Sequence, residues 1–257
     1  MDPSAPPSLL QIDLGHATHT GLLRPQNEDS FCAVVLSTNR KSQRHAPLLL
    51  GVADGMGGEE AGEIASSLAI QHLIDRTRRL FSTQANPDEI WVHETVAAIN
   101  EVVSGEARRR GHMMGTTLVF AVIYNGRAFL ANVGDSRIYH WRPGMPQLAR
   151  LVKDHSLVQM LVDEGIIEDR DRYAHPRRNY ITRSLGDPNT GISDENPAVA
   201  LERGDWLLLC SDGLWEMVRD DAMHGVVSEA HDAQSACDAL VALANINGGE
   251  DNISVVA

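Results

Sequence analysis

The feature that most restricts the fold is the pair Asn125–Gly126, which separates two apolar runs in the segment TTLVFAVIYNGRAFLANVG. Asn-Gly is the strongest short-range signal for a two-residue hairpin, because both residues accept the positive φ angles that the turn requires. The two runs are therefore predicted to be neighbouring antiparallel strands. Such a connection argues against a fold built from repeated β-α-β units.

Strand-like and helix-like segments alternate in blocks along the rest of the chain. Apolar residues recur three or four positions apart in residues 60–80, and Asn86 with Pro87 predicts the start of a helix over residues 87–110. Blocks of this kind predict an α+β fold with antiparallel sheets. Further helices are predicted at 156–165 and, as one or two elements, at 219–246, and strands at 11–18, 30–36, 48–53, 136–144, 147–152, 205–213 and 252–257.

Composition limits the class of protein. The chain has 257 residues, 43% of them hydrophobic, without repeat or linker, so we expect one domain over residues 9–257 behind a flexible tail at residues 1–8. A net charge of −13 disfavours nucleic acid as a partner. No apolar run approaches the ~20 residues of a membrane-spanning helix, and the N-terminus lacks a signal-peptide pattern. We therefore expect a cytoplasmic monomer that does not bind membranes.

Acidic residues recur where predicted strands end or begin. The run LLLGVA leads into Asp54, FLANVG into Asp135 and DWLLLCS into Asp212. Asp251 stands directly before the last strand, and the pair Glu28–Asp29 stands before the second strand. Because strand ends are rigid and their loops often carry function, these carboxylates are candidates for one common site.

Carboxylates gathered at one site repel each other unless a cation neutralises them. Oxygen ligands without a cysteine or histidine cluster favour Mg²⁺ or Mn²⁺ over Zn²⁺. Gly55 has no Cβ, so its carbonyl can turn towards such an ion. Two ions about 4 Å apart can activate a water and bind a phosphoryl group. The alternative is that each Asp-Gly pair only marks a turn, since spacing does not show that the residues converge.

Eight short segments follow one another in an informative order: RPQNEDSF (24–31), GVADGMGGEEAGEIAS (51–66), MGTTLVFAVI (114–123), ANVGDSRIY (131–139), LVKDHSL (151–157), ITRSLGD (181–187), LLLCSDGLWEMV (207–218) and GGEDNISVV (248–256). Together they resemble the metal-dependent serine/threonine protein phosphatases of type 2C (the PPM family), and DGMGG resembles its bacterial branch. The resemblance implies a four-layer α-β-β-α sandwich, in which helix pairs flank two antiparallel sheets and metals lie in a cleft at one edge. It also implies hydrolysis of phosphoserine and phosphothreonine by a water that bridges two metals.

The same resemblance implies a role for each matching residue. Asp54 would bridge two metal ions, either Mn²⁺ or Mg²⁺, with the Gly55 carbonyl as a further ligand. Asp212 and Asp251 would hold the first metal. Arg24 matches the arginine that binds the substrate phosphate, for which a planar guanidinium is well suited.

Three further acids would have supporting roles. Glu28 matches a residue that supports the second metal through water, and Asp29 supports the same surroundings. Asp135 resembles the residue that joins Asp212 at a third, weaker metal site.

Some residues depart from the family pattern. Met56 stands where some relatives have a histidine proposed as general acid, and a thioether has no proton to donate. The leaving group must then take its proton from water or another group, and His155 is one candidate, although a loop histidine more often has a structural role. Glu216 replaces an aspartate and either supports the metal site or lies in the first turn of a helix. Arg183 contacts phosphate or forms a structural ion pair.

Residues 156–180 correspond to the flap of the family, a segment beside the cleft. A basic flap would recognise acidic or phosphorylated protein segments, whereas the alternative is a solvated charged loop. Its basic residues are Arg170, Arg172, His175, Arg177 and Arg178. Elsewhere, core positions are expected for Trp141, Trp206, Trp215 and Cys210, the last as an inert thiol.

These features predict a phosphoprotein phosphatase that opposes a bacterial serine/threonine kinase and acts on its substrates. The alternative from another class is a pseudophosphatase that binds phosphoproteins without hydrolysis. That alternative predicts missing metal carboxylates, whereas Asp54, Asp212 and Asp251 are all present. A phosphatase of anti-sigma-factor antagonists or of small molecules is also compatible with these residues.

Overall fold

The computed structural model describes residues 12–36, 46–57, 61–187, 190 and 198–257. The predicted flexible tail at residues 1–8 lies outside the described residues. Eleven strands are formed within them: β1 (His16–His19), β2 (Asp29–Val35), β3 (Leu48–Gly57), β4 (Met114–Thr116), β5 (Leu118–Tyr124), β6 (Arg127–Val133), β7 (Arg137–Trp141), β8 (Ala149–Arg150), β9 (Ala198–Ala200), β10 (Trp206–Cys210) and β11 (Ile253–Val256).

Six α-helices and one 3₁₀-helix accompany these strands in the described part of the chain. None of them is both long enough and apolar enough to cross a bilayer. The helices are α1 (Ala61–Ser82), α2 (Glu89–Arg110), α3 (Leu157–Asp163), α4 (Asp212–Trp215), α5 (Asp220–Glu229) and α6 (Ala233–Ile246), with the 3₁₀-helix at Asp169–Ala174.

The strands form two antiparallel sheets. The first sheet has the order β1-β11-β10-β7-β8, and the second has the order β2-β3-β5-β6-β9, with β4 paired to the far end of β3. Side chains of one sheet, such as Leu50, pack against those of the other, such as Leu209. Leu49 points the opposite way in β3 and packs under α1 and α2, because successive side chains of a strand alternate between its faces.

The outer faces of both sheets are covered by helices. One apolar cluster joins the second sheet to α1 and α2, and another joins the first sheet to α4, α5 and α6. The predicted four-layer α-β-β-α sandwich is therefore confirmed. Trp141, Trp215 and Cys210 are buried and Trp206 is half-buried against them, as expected for core residues. Burial raises the pKa of the Cys210 thiol, so it is inert.

The predicted hairpin is confirmed, whereas several predicted boundaries are wrong. Asn125 and Gly126 have φ angles of 50° and 73°, and they join β5 to β6. Helix α2 does not begin at Pro87, because the side chain of Asp88 caps it by accepting from the Trp91 N–H at 2.7 Å. Of the strand predicted over residues 11–18, the described residues 12–15 are irregular, and strand β1 begins at His16.

Two strand ends near the predicted site also differ from expectation. Strand β3 does not stop before Asp54 but continues to Gly57, because β4 pairs with residues 55–57. Strand β10 ends at Cys210, and Asp212 instead opens helix α4. The extension of β3 arises from tertiary pairing that a local apolar pattern does not encode.

Candidate metal and phosphate site

A cleft of about 550 Å³ opens at the edge where both sheets end. Six of the eight residues assigned to the site by their motifs line it. Asp135 is buried, and Asp29 is half-buried with its Oδ1 atom inaccessible to solvent. The lining residues are Arg24, Pro25, Gln26, Glu28, Asp54, Gly55, Met56, Gly57, Asn179, Ile181, Asp212, Asp251 and Asn252.

Asp54 lies in the middle of the extended strand β3. It is paired in register with Asp29 of β2, so that two acids from neighbouring strands face each other. Its backbone is fixed by two threonines: the N–H donates to Thr117 Oγ1 at 2.9 Å, and the carbonyl accepts from Thr116 Oγ1 at 2.9 Å. These bonds hold the strand at the point where it passes from the sheet into the cleft.

Gly55 lies at a point of very close backbone approach. A Cβ added there would lie 2.1 Å from the carbonyl oxygen of Gly62 and 2.6 Å from that of Glu28. Only glycine can occupy this position without moving α1 or the loop that carries Glu28. Gly55 is therefore required by packing as well as by any ligand role.

Asp212 is joined to the opposite sheet through its neighbour Ser211. The Ser211 hydroxyl donates to Asp29 Oδ2 at 2.8 Å and accepts from the Ser254 N–H at 3.0 Å. Asp29 and Ser211 belong to different sheets, so this hydroxyl links them directly beneath the cleft. Asp29 is therefore held in place by a hydrogen bond from Ser211, and its supporting role stays a prediction.

Arg24 and Asp251 form an ion pair at the cleft, with 2.6 Å between Nη2 and Oδ2. The Arg24 side chain is 52% exposed, and its guanidinium is accessible to a ligand from solvent. The second oxygen of Asp251 accepts from the Asn252 N–H at 2.8 Å.

Burial and mutual repulsion govern the ionisation of the acids. Burial raises the pKa values of Asp54 and Asp212 well above the usual range, and the charge of Asp212 adds to the effect on Asp54. Burial also raises the pKa values of Asp29 and Asp135 to about 7. The cluster therefore contains more negative charge than its protein surroundings stabilise.

A hard divalent cation fits this cluster. Oδ1 atoms of Asp29, Asp135 and Asp212 are buried and, among the described residues, accept no hydrogen bond. The donor set is oxygen only, as Mg²⁺ and Mn²⁺ prefer. No three acidic, histidine or cysteine side chains of the described chain are already arranged to hold an ion, and Arg24 engages Asp251. A bound ion therefore requires some of these side chains to rotate.

The structure shows where the residues that depart from the family pattern lie. Met56 lines the cleft, whereas His155 accepts from the Gly134 N–H through Nδ1 at 3.1 Å, which is a structural contact. Glu216 does not lie in the first turn of a helix, because α4 ends at Trp215. It pairs instead with Arg178 at 3.4 Å. Arg183 forms no ion pair with any residue in the described part of the chain.

The flap is less basic at its surface than its sequence indicates. Arg172 is buried and pairs with Asp154 at 3.1 Å, so the interpretation of this residue as part of a recognition surface is wrong. Arg170 pairs with Glu168 at 2.8 Å, and Arg178 also reaches Glu250 at 3.1 Å. Sequence inspection missed these partners because they lie at irregular separations along the chain.

Asn252 is a cleft residue that inspection of the sequence did not single out. It follows Asp251 in the segment GGEDNISVV, and its side chain is almost fully buried. A polar amide between an acidic residue and a buried strand is a signal that could have identified it, since buried amides require partners.

Comparison with known proteins adds to this geometry. The family model described as Protein phosphatase 2C matches residues 27–245. The serine/threonine phosphatase Stp of Listeria monocytogenes is 36% identical over 242 residues, which cover 93% of this chain and 92% of the relative. PstP of Mycobacterium tuberculosis is 36% identical over 241 residues, which cover 92% of this chain and 42% of the relative.

Solved structures agree with these relatives. The catalytic domain of PstP in complex with two manganese ions superposes with a TM-score of 0.79 at 31% identity, over 95% of each chain. Stp1 from Staphylococcus aureus gives a TM-score of 0.83 at 30% identity, over 98% of this chain and 97% of that chain. The chain therefore belongs to the protein phosphatase 2C family of metal-dependent phosphatases.

Proposed function

We propose that this protein hydrolyses phosphoserine and phosphothreonine esters in other proteins with the help of two divalent cations. The observation that carries the proposal is the placement of Arg24 beside Asp54, Asp212 and Asp251 in one cleft. A phosphate dianion is attracted to the guanidinium, and the buried acids require cations. The PstP structure that contains two manganese ions supports the same interpretation.

Each cleft residue has a defined part in this proposal. Asp54, Asp212 and Asp251, with the Gly55 carbonyl, would hold the ions, and Glu28 would support one of them. Bound Mn²⁺ or Mg²⁺ supplies positive charge for the phosphoryl oxygens and lowers the pKa of water.

Two residues behind the cleft complete the assignment. Asp29 would hold the neighbouring groups in place through Ser211. Asp135, whose charge raises the pKa of Asp212, would help to bind a third and weaker ion.

Arg24 binds and orients the phosphate in this account. Its planar fork offers several N–H donors, and the ion pair with Asp251 directs it along the cleft wall. Met56 lines the same cleft but carries no proton, and His155 is occupied by the backbone of Gly134. We therefore assign the proton on the leaving oxygen to solvent.

The proposed partners are phosphorylated proteins, including a serine/threonine kinase and the substrates of that kinase. A monomeric state and a cytoplasmic location stay predictions. The competing role, phosphoprotein binding without hydrolysis, is disfavoured because the acids expected to hold metal line the cleft together.

Hydrolysis of p-nitrophenyl phosphate and of a phosphothreonine peptide by the full chain tests the proposal. We expect turnover with Mn²⁺ or Mg²⁺, loss of turnover in EDTA, and recovery when Mn²⁺ is restored. Binding of the phosphopeptide without release of phosphate at saturating Mn²⁺ would instead support the pseudophosphatase.

A further inference from the structure

The loop between β1 and β2, residues 20–28, carries both Arg24 and Glu28 into the cleft. This loop is irregular, without helix or strand, so its shape depends on contacts with the rest of the protein. One backbone contact is the Leu22 N–H, which donates to the Gly249 carbonyl at 2.7 Å. The Glu28 carbonyl accepts from the Gly55 N–H and from Ser66 Oγ. Three further contacts to the loop backbone come from a single side chain.

That side chain belongs to Asn252. Its Nδ2 donates to the Thr20 carbonyl at 2.8 Å and to the Gln26 carbonyl at 2.9 Å. Its Oδ1 accepts from the Glu28 N–H at 2.8 Å. The loop is therefore hydrogen-bonded to one side-chain amide at Thr20, Gln26 and Glu28. Asn252 is only 6% exposed.

The chemistry of the position admits only an amide. Two carbonyls require two hydrogens, and the Glu28 N–H requires an acceptor, so the amide has one orientation that satisfies all three. An aspartate would keep the acceptor but place a carboxylate against two carbonyl oxygens. An alanine would leave three backbone groups of a nearly buried region without partners.

Asn252 also lies next to the residue that holds the Arg24 side chain. Asp251 pairs with the guanidinium at 2.6 Å, while Asn252 holds the backbone on either side of Arg24. Two consecutive residues thus fix both the backbone position and the side-chain direction of the phosphate-binding arginine.

We infer that Asn252 is a positioning residue for phosphate recognition, acting through the 20–28 loop rather than by contact with the reacting groups. The inference rests on the proposed function, because Arg24 binds phosphate only in that account. Without Asn252 the loop samples several conformations, and ordering it lowers the affinity for the phosphate group. Asp54 and Asp212 lie on other segments, so we expect them to stay in place.

Kinetics of Asn252→Ala with a phosphothreonine peptide and Mn²⁺ test this inference. We expect KM to rise about tenfold while kcat falls less than about threefold, because the missing bonds order the loop for binding. Asn252→Asp, which keeps the acceptor and loses both donors, should raise KM by at least as much. If Asn252→Ala folds poorly, Asn252→Asp carries the test alone.

Asn100→Ala is the matched control. Asn100 also clamps a loop through its amide, since it donates to the Asp187 carbonyl at 3.1 Å and accepts from the Gly186 N–H at 2.7 Å. Neither Gly186 nor Asp187 lines the cleft. We expect Asn100→Ala to leave KM within about twofold of the wild-type value, because it breaks the same kind of bond elsewhere.

Two further measurements separate positioning from a general loss of structure. In an Arg24→Ala background, Asn252→Ala should add little to KM, because the arginine that it positions is already absent. In the metal-free proteins, amide hydrogen exchange within residues 20–28 should be faster in Asn252→Ala than in the wild type or in Asn100→Ala. This measurement does not depend on enzymatic activity.

The possible outcomes are distinct. Wild-type KM and wild-type exchange in Asn252→Ala, with an active parent, would overturn the inference. Full additivity with Arg24→Ala would also overturn it. An inactive parent whose loop exchange still rises in the variant would contradict the proposed function, while the loop anchor itself would stand.

Discussion

Two neighbouring clusters of charged side chains in this protein differ in whether opposite charges meet within them. The acidic cluster consists of Asp29, Asp54, Asp135 and Asp212 at the cleft. The ion-pair cluster consists of Arg137, Asp154, Gln159 and Arg172, between β7 and the flap. Only Ser136 separates Asp135 of the first from Arg137 of the second.

In the ion-pair cluster, buried side chains of opposite charge meet each other. Arg137 donates to Asp154 through Nε and Nη2, at 3.0 and 2.7 Å, and stacks over the Trp215 ring at 3.6 Å. Arg172 adds a second cation to Asp154. The acidic cluster contains no such cation and leaves carboxylate oxygens without partners in the described part of the chain. We conclude that charged side chains buried beside opposite charges have a structural role. Charged side chains buried without such partners indicate a site for a ligand.

The largest effect that sharpens this comparison is expected for Asp54→Asn. Removing the acid that faces Asp29 and Asp212 should lower turnover of p-nitrophenyl phosphate in Mn²⁺ by roughly a thousandfold or more, because metal binding is lost. The melting temperature of the metal-free variant should equal or exceed that of the wild type, since one repelling carboxylate is gone. Asp75→Asn, on the exposed face of α1, serves as the control and should change neither value. Undiminished turnover in Asp54→Asn would refute the assignment.

The second effect breaks the ion-pair cluster. Arg172→Met keeps the length of the side chain but removes the buried hydrogen bonds to Asp154 and Gln159, and it should lower the free energy of unfolding by about 3 kcal/mol. Urea denaturation measures this loss. Arg170→Met, two residues away, is the matched control and should unfold like the wild type, because Arg170 is 80% exposed in its pair with Glu168. Equal stability of the two variants would show that the buried pair is not structural.

The third effect is the stabilisation of the folded protein when Mn²⁺ binds to the acidic cluster. Mn²⁺ at a hundred times its dissociation constant should stabilise the wild type by about 2.7 kcal/mol, because it binds only the folded state. Thermal unfolding with increasing Mn²⁺ measures the shift. Asp54→Asn should lose most of the shift, and Arg172→Met should retain it. A shift of the same size in all three proteins would mean that Mn²⁺ binds elsewhere.

A fourth effect is the pH dependence of the metal-free protein. Burial raises the pKa values of Asp29 and Asp135 to about 7, above those of the unfolded chain, so the folded state binds more protons. Stability should therefore fall as the pH rises from about 4 to about 7. Asp135→Asn should flatten this slope, as measured by urea unfolding at several pH values in EDTA. A slope of the opposite sign would contradict the repulsion attributed to the cluster.

The sequence predicts those parts of the fold that depend on neighbouring residues. Local signals fixed the hairpin at Asn125 and the sheets, because turn chemistry and apolar alternation act within a few residues. They failed at Pro87, where the competing cap Asp88 is better, and at Asp54, where the strand continues because β4 pairs with it. Boundaries set by long-range pairing are not encoded in any short window.

The residues of the site were likewise predictable only where a short segment of the sequence identifies them. Acids beside strand ends were recognisable because each stands in a distinctive segment, and Arg24 was identified by its motif. The buried position of Arg172 was not recognisable, because its partners Asp154 and Gln159 come from other elements. Asn252 was missed for a related reason, since its three partners lie more than 200 residues away along the chain.

The central claim is that acids from both sheets jointly bind divalent ions in the cleft. Crystals grown in Mn²⁺ and measured at the manganese absorption edge test it most directly. The account predicts two anomalous peaks in contact with Asp54, one of them also contacting Asp212 and Asp251. An ordered cleft without a peak at saturating Mn²⁺, or peaks confined to other surfaces, would contradict it.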